Sequence, residues 1–349
     1  MTKSTLVLPV DPDDLASGQA SLERAAQILL DGGTVAFPTE TVYGLGANAL
    51  SEPAVEKIFQ AKQRPSWDPL IVHVATEEML LQVVSSLWEV ERSLIERFWP
   101  GPLTLLLPKN AAVPSLVTAG RPKVGARMPA HPVARALIEL AGVPVAAPSA
   151  NSFGRISPTT AQHVLEDLDG RIDAILDGGP TSLGLESTVI DASATPPTLY
   201  RHGMISIEEL RRELPSLVAY DESALSRDVV PAALPSPGVG LRHYAPRAKL
   251  VLIEGRDLAE SLREAINEAS ERPIGILLPD DFQISLPPDF RVARWGRWDH
   301  YEELAQQLFG GLRALDSLGV AVILCPLPTN VGIGAALRDR LMKASKQTA

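Results

Sequence analysis

Two α/β units, a larger mixed α/β one and a smaller one with a parallel sheet, are what this sequence predicts. The chain has 349 residues, well above the roughly 100 to 200 typical of one domain, so its length favours two cores. Strand-like apolar runs alternate with helix-periodic segments along most of the chain, as α/β folds require. Between Pro215 and Pro246 the periodicity fades, and Pro231, Pro235 and Pro237 with Gly238 and Gly240 break any regular element.

The elements follow in order. From Ser21 to Leu30, the residues Leu22, Ala25, Ala26, Leu29 and Leu30 fall at helical spacing, and Gly32-Gly33 supplies a stop that accepts positive φ. A strand is expected at Thr34 to Phe37, then a helix near Glu52 to Ala61, a strand at Leu70 to Val74 and a helix near Val90 to Phe98. The pattern continues with a strand at Leu103 to Leu107, a helix at Pro132 to Ala141 and a strand at Pro144 to Ala147. Ser157-Pro158 is expected to open the next helix, serine as cap and proline in the first turn. Strands near Ala174 to Leu176 and Ser187 to Asp191 follow, and Ser206 with Glu209 gives a capping-box pattern. Beyond the linker, Lys249 to Ile253, Ile274 to Leu278 and Val320 to Leu324 read as buried strands, separated by helices near Leu258 to Ala269 and Tyr301 to Leu318.

Composition narrows the function classes. Apolar residues make up 45% and charged residues 21%, a globular rather than a disordered balance. Cys325, the single cysteine, cannot close an intramolecular disulfide and belongs to no cluster with zinc-ligand spacing, which fits a reducing compartment. The early Asp11, Asp13 and Asp14 do not fit a secretory signal, and no apolar run reaches the about 18 residues of a membrane span, so the expected location is cytoplasmic. A net charge of -10 argues against a protein that mainly wraps nucleic acid, although a local basic pocket remains compatible with it.

Several segments have the residue types of a ligand site. The loop Phe37-Pro38-Thr39-Glu40-Thr41-Val42-Tyr43-Gly44 crowds hydroxyls, a carboxylate and a phenol at a strand end; it also fits a turn with local hydrogen bonds. Lys62-Gln63-Arg64-Pro65 puts two cations on a chain reversal, which suits a polyphosphate and equally an ordinary solvated helix end. His73 follows an apolar run, where a hydrogen-bonded core histidine is the plainer reading. Arg121, Lys123 and Arg127 precede Met128-Pro129. Ala147-Pro148-Ser149-Ala150-Asn151 ends a strand with small residues that admit a ligand and donors that can hold it. No Walker-type loop is present, and Gly44-Leu45-Gly46-Ala47-Asn48-Ala49, superficially like a dinucleotide fingerprint, reads better as glycines shaping a turn.

Together these segments, with Glu186-Ser187-Thr188 and Arg201, resemble in content and order the YrdC-like domain of the threonylcarbamoyl-AMP synthase family, from about Val10 to Leu214. The stretch Ser236-Pro237-Gly238-Val239-Gly240-Leu241-Arg242-His243-Tyr244-Ala245-Pro246 resembles the linker of the longer members, and Gly332-Ile333-Gly334-Ala335-Ala336 with Asp339-Arg340 resembles the close of their C-terminal domain. The resemblance implies a YrdC-like mixed α/β domain with an open concave site over 10–214, a linker or lid over 215–247, and a small Rossmann-like parallel-sheet domain over 248–349.

It further implies an enzyme that joins L-threonine, bicarbonate or CO2, and ATP into threonylcarbamoyl-AMP and pyrophosphate, for threonylcarbamoyl-adenosine in tRNA. By similarity Lys62, Arg64, Ser149 and Asn151 form the catalytic set. Arg64, Asp68, Lys123, Ser149, Ser157, Arg201, Arg242, His243 and Tyr244 would meet ATP, while Thr41, His73, Arg127, Ala147 and Ser187 would hold threonine. Asp68 departs from the family's usual neutral polar residue and should repel phosphate; Lys123 replaces a hydroxyl and is expected to offset that charge. Mg2+ would accompany ATP, needing few protein ligands, and the product would pass to a tRNA threonylcarbamoyl-transfer complex, with at most weak contact to tRNA. Two other readings are weighed beside this one: a double-stranded RNA or tRNA-binding protein, and adenylation of a different carbamate.

Overall fold

The structure, a computed structural model, describes residues 4–221, 233–236, 238–239, 244–255 and 257–346. The chain divides into two compact units. The first comprises Met1–Phe153, Ser157–Ser182 and Glu186–Gly240; the second comprises Gly154–Ile156, Leu183–Leu185 and Leu241–Ala349.

The first unit opens with β1 (Leu6–Pro9), α1 (Gln19–Leu30), β2 (Val35–Phe37), β3 (Gly44–Asn48), α2 (Glu52–Lys62) and β4 (Ile71–His73). Next come α3 (Glu77–Val83), α4 (Glu89–Phe98), β5 (Leu103–Pro108), α5 (Ser115–Thr118), β6 (Lys123–Arg127), α6 (Pro132–Ala141) and β7 (Val145–Ala146). It closes with α7 (Ala161–Leu168), β8 (Ala174–Asp177), β9 (Thr188–Asp191), β10 (Thr198–Arg201), α8 (Ile207–Glu213) and β11 (Val218–Ala219). The eleven strands form one mixed sheet in the order β1-β8-β2-β3-β7-β4-β6-β5-β9-β10-β11.

Periodicity explains why most of these elements sit where they do. The face of α1 that carries Leu22, Ala25, Ala26, Ile28 and Leu29 is buried, whereas Leu30, expected on that face, stays exposed. Helix α2 buries Val55, Ile58, Phe59 and Lys62, so Lys62 lies one turn beyond Ile58 on the apolar face. Gln63 then turns left-handed at φ 53°, and the Arg64 amide closes back onto the Phe59 carbonyl at 3.0 Å. That reversal ends the helix and sends Lys62 and Arg64 inward together.

Three sequence expectations change here. The helix after Ser157 begins at Ala161, and its cap is Thr160, whose hydroxyl accepts the His163 amide at 3.2 Å. Thr160 also stands directly before the apolar-periodic stretch, which Ser157 does not. Gly44 and Gly46 shape no turn and cradle no dinucleotide; they lie in β3, where a Cβ on Gly46 would stand 2.7 Å from both Phe37 and Val145. Their role is close strand packing. Finally, Val218–Ala219, inside the stretch read as linker, forms β11 and pairs with β10.

The second unit contains β12 (Lys249–Ile253), α9 (Leu258–Glu268), β13 (Ile274–Leu278), β14 (Arg291–Arg294), α10 (Tyr301–Ser317), β15 (Val322–Pro326) and α11 (Ile333–Ser345). Its four strands are all parallel, in the order β12-β15-β13-β14. Leu262, Ile266, Ile274, Ile276 and Leu324 form part of its core. The edge strand β14, Arg-Val-Ala-Arg, escaped the sequence reading because it is short and largely exposed. Among the described residues no helix is long and apolar enough to cross a membrane.

Candidate active site

Lys62 is 1% exposed, and its ammonium donates to the carbonyls of Ser149, at 2.6 Å, and Asn151. The turn that carries these carbonyls is itself fixed by β3: the Leu45 amide donates to the Pro148 carbonyl and the Ala150 amide to the Tyr43 carbonyl, each at 2.8 Å. Burial and then the Arg64 charge push the Lys62 ammonium well below the usual lysine range, while Asp167 and Asp68 pull it back. Arg64 donates through Nε to the Asp68 carbonyl at 3.1 Å and through Nη2 to the Pro69 carbonyl at 2.8 Å, and it pairs with the Asp68 carboxylate at 2.9 Å. Asp68 is fully buried, which raises its carboxyl above the ordinary value against the pull of Arg64, Lys62 and Arg201. Three cations predicted from two separate stretches therefore act on one buried carboxylate.

A second cluster forms where β4 runs beside β6, with His73 in register with Arg127. Arg127 is 3% exposed; its Nε donates to the Gly101 carbonyl at 3.1 Å, its Nη1 to the Thr41 hydroxyl at 2.9 Å, and its Nη2 pairs with Glu40 at 2.5 Å. Glu40 in turn accepts the Ala130 amide at 3.1 Å. Among the described residues Nη2 has no hydrogen-bond partner beyond that ion pair. Burial and the Arg127 charge lower the His73 imidazole to about 3, so the ring is neutral near pH 7. Ala147 is buried alongside, its amide donating to Ile71 at 2.8 Å.

Arg201 and Ser187 meet directly: Nε of Arg201 donates to the Ser187 carbonyl at 2.9 Å and Nη2 to its hydroxyl at 3.0 Å. The Ser187 hydroxyl also lies 2.8 Å from that of Thr104. Ser157, buried, donates to Glu186 at 2.5 Å. Over Arg201 sits Gly238, at φ +81°, where a Cβ would stand 2.8 Å from the guanidinium. Nearby linker residues Leu234, Ser236 and Val239 are buried, with the Leu234 amide on the Trp67 carbonyl at 2.9 Å. Tyr244 belongs to the second unit, and Arg242 and His243 lie outside the described residues.

One expectation fails on geometry. Lys123 does not offset Asp68; its ammonium pairs with both oxygens of Asp191, at 2.7 and 2.6 Å, and with Ser193 at 2.9 Å. The charge of Asp68 is met by Arg64, four residues earlier in the chain. Sequence reasoning also gave no role to Glu40 or Glu186, the two carboxylates that hold Arg127 and Ser157. Both lie in segments singled out for chemistry, and a search for acids to balance the buried cations there would have found them. Among the described residues no group of three or more His, Cys, Asp or Glu side chains could hold a metal ion.

The arrangement pairs a cationic, hydrogen-bonded region suited to phosphate oxygens with a buried cluster of a guanidinium, a hydroxyl and a neutral imidazole, suited to a small zwitterion. A family model described as "Telomere recombination", covering Sua5, YciO and YrdC, matches residues 27–203, and one described as "Threonylcarbamoyl-AMP synthase, C-terminal domain" matches 205–346. The threonylcarbamoyl-AMP synthase of Pyrococcus abyssi is 44% identical over 325 residues, 92% of this chain and 93% of that protein. That of Bacillus subtilis is 42% identical over 336 residues, 95% of each. A solved structure of P. abyssi Sua5 complexed with L-threonine has 41% identity and a TM-score of 0.86, covering 98% of each chain. The chain belongs to the threonylcarbamoyl-AMP synthase family of enzymes.

Proposed function

We propose that this chain converts L-threonine, bicarbonate or CO2, and ATP into threonylcarbamoyl-AMP with release of pyrophosphate. The amine of threonine adds to CO2 and loses a proton, giving a carbamate. A carbamate oxygen then attacks the α-phosphorus in line, and the bond to the β-phosphate oxygen breaks as pyrophosphate leaves. Such a step needs positioning and charge neutralisation rather than a covalent nucleophile. In this reading Lys62, Arg64 and Arg201 neutralise the phosphates, while Ser149 and Asn151 line the same turn. Asp68 acts by holding the Arg64 fork, and Ser157 and Lys123 stand at the nucleotide's margin. Arg127 offers its guanidinium to the threonine carboxylate beside Thr41, His73, Ala147 and Ser187. Mg2+ bound with ATP would supply charge neutralisation at the phosphates, and among the described residues no cluster of protein ligands is present for it. Arg242, His243 and Tyr244 would meet ATP in the same reading, and the product would go to the tRNA-modifying machinery in the cytoplasm.

The observation that supports this most is that Lys62 holds the Ser149 and Asn151 carbonyls while Arg64, two residues on, pairs with the buried Asp68. Incubating the chain with ATP, L-threonine, bicarbonate and Mg2+ and weighing the product by mass spectrometry tests it. The expected result is an adenylate of threonylcarbamate, reduced about 100-fold or more by Arg64→Ala. Pyrophosphate release indifferent to L-threonine would overturn the reading in favour of another carbamate. Tight, salt-sensitive tRNA binding with no turnover would overturn it in favour of an RNA-binding role.

A further inference from the structure

Helix α10 of the second unit carries Ala305, Phe309, Arg313 and Asp316, spaced four, four and three residues apart, which places them on one helical face. Each meets a different point of the chain within that unit. Arg313, 9% exposed, donates to the Ile156 carbonyl. Asp316 pairs with Arg155 at 2.8 Å and accepts the Arg247 and Ala248 amides at 2.6 and 3.0 Å. Phe309 stacks on Tyr244 with ring centroids 5.6 Å apart, and the fully buried Arg340 lies 5.2 Å from the centre of the same tyrosine ring. Gly184, at φ +76°, approaches so closely that a Cβ there would stand 2.5 Å from the Ala305 carbonyl.

The segments held in this way are continuous with the candidate site. Gly154–Ile156 connects Asn151 to Ser157, and Leu183–Leu185 runs into Glu186 and Ser187. Tyr244 follows Arg242 and His243 directly. A loop of three residues pinned by an ion pair and a charge-assisted hydrogen bond leaves its flanking residues little freedom.

We infer that this face of α10 is a positioning element for the nucleotide end of the site, with Arg313 and the Arg155–Asp316 pair fixing the path from Asn151 to Ser157. The inference rests on the proposed synthase reading for what those loops bind.

The test compares Arg313→Met, Arg313→Lys, Arg155→Met and Arg155→Lys with the unaltered full chain. The steady-state KM for ATP is read in a pyrophosphate-release assay, and ATP affinity is read by calorimetry without turnover. The two methionine variants are expected to raise KM and Kd for ATP about tenfold with a smaller change in kcat, and the lysine variants to recover most of the loss. Arg155, with a side chain 29% exposed, tolerates change best, so folding of at least that pair is secure against a collapse of the unit. Unchanged ATP affinity in folded methionine variants, or an equal fall in kcat alone, overturns the inference. A wild-type chain that binds ATP but makes no threonylcarbamoyl adenylate sinks the synthase reading instead, and the calorimetric arm still decides the role of α10.

Discussion

His73 should make the first unit sensitive to mild acid. The side chain is 4% exposed, edge-on to Phe37 with ring centroids 6.0 Å apart, and its Nδ1 has no hydrogen-bond partner among the described residues. Its folded pKa is lowered from 6.5 to about 3, first by burial and then by Arg127. Between those values the unfolded chain binds a proton that the folded chain refuses, so stability rises with pH across the window. The contribution is complete above about 6.5 and is lost as pH falls toward 3. At pH 5, about 1.5 units below the unfolded value, the loss is about 2 kcal/mol at roughly 1.4 kcal/mol per unit. Replacing His73 by Phe keeps a flat ring and removes the titration. Thermal unfolding of the two full-length proteins at pH 7 and pH 5 measures the difference. The wild type should lose about 4 to 8 °C more than His73→Phe on going to pH 5. Equal losses in both proteins would refute the reasoning, because every other titrating group is common to them.

Two further substitutions probe the packing that builds the site. Glu40→Ala leaves the Arg127 guanidinium buried without its carboxylate, and denaturant unfolding should show a loss of about 3 to 5 kcal/mol. Gly46→Ala introduces a methyl 2.7 Å from Phe37 and Val145. Neither neighbour can retreat within the buried sheet, so the same measurement should show a loss of about 1 to 3 kcal/mol.

Legibility followed the length and regularity of the local pattern. The helix at Pro132–Ala141 was read to the residue, because His131, Pro132 and Gly142 bracket a clean apolar period. Strands β12 and β13 were equally plain, being continuous apolar runs that end in polar residues. Strand β3 was not, since its glycines carry no side-chain signal and their strand geometry comes from pairing with β2 and β7. Strand β6, Lys-Val-Gly-Ala-Arg, was read as a row of cations, yet it is a central strand whose Arg127 end reaches His73. At the site, the positions of Lys62, Arg64 and Arg201 were read as candidates from residue type and family resemblance. The pairings of Arg127 with Glu40 and of Lys123 with Asp191 could not be, because these residues lie far apart along the chain.

The amino-acid order by itself determined two α/β units, the boundaries of their stronger helices and strands, and which polar segments interrupt apolar runs. Those are short-range properties, set by backbone propensity and by the burial period of neighbouring residues. The tertiary structure alone decided which distant charges neutralise one another: Arg127 with Glu40, Lys123 with Asp191. It also decided that loops beside Asn151 and Ser187 are held by α10. Electrostatic pairing acts through space and depends on burial, and only the sheet order, which brings β4, β6 and β7 together, sets both the distance and the burial.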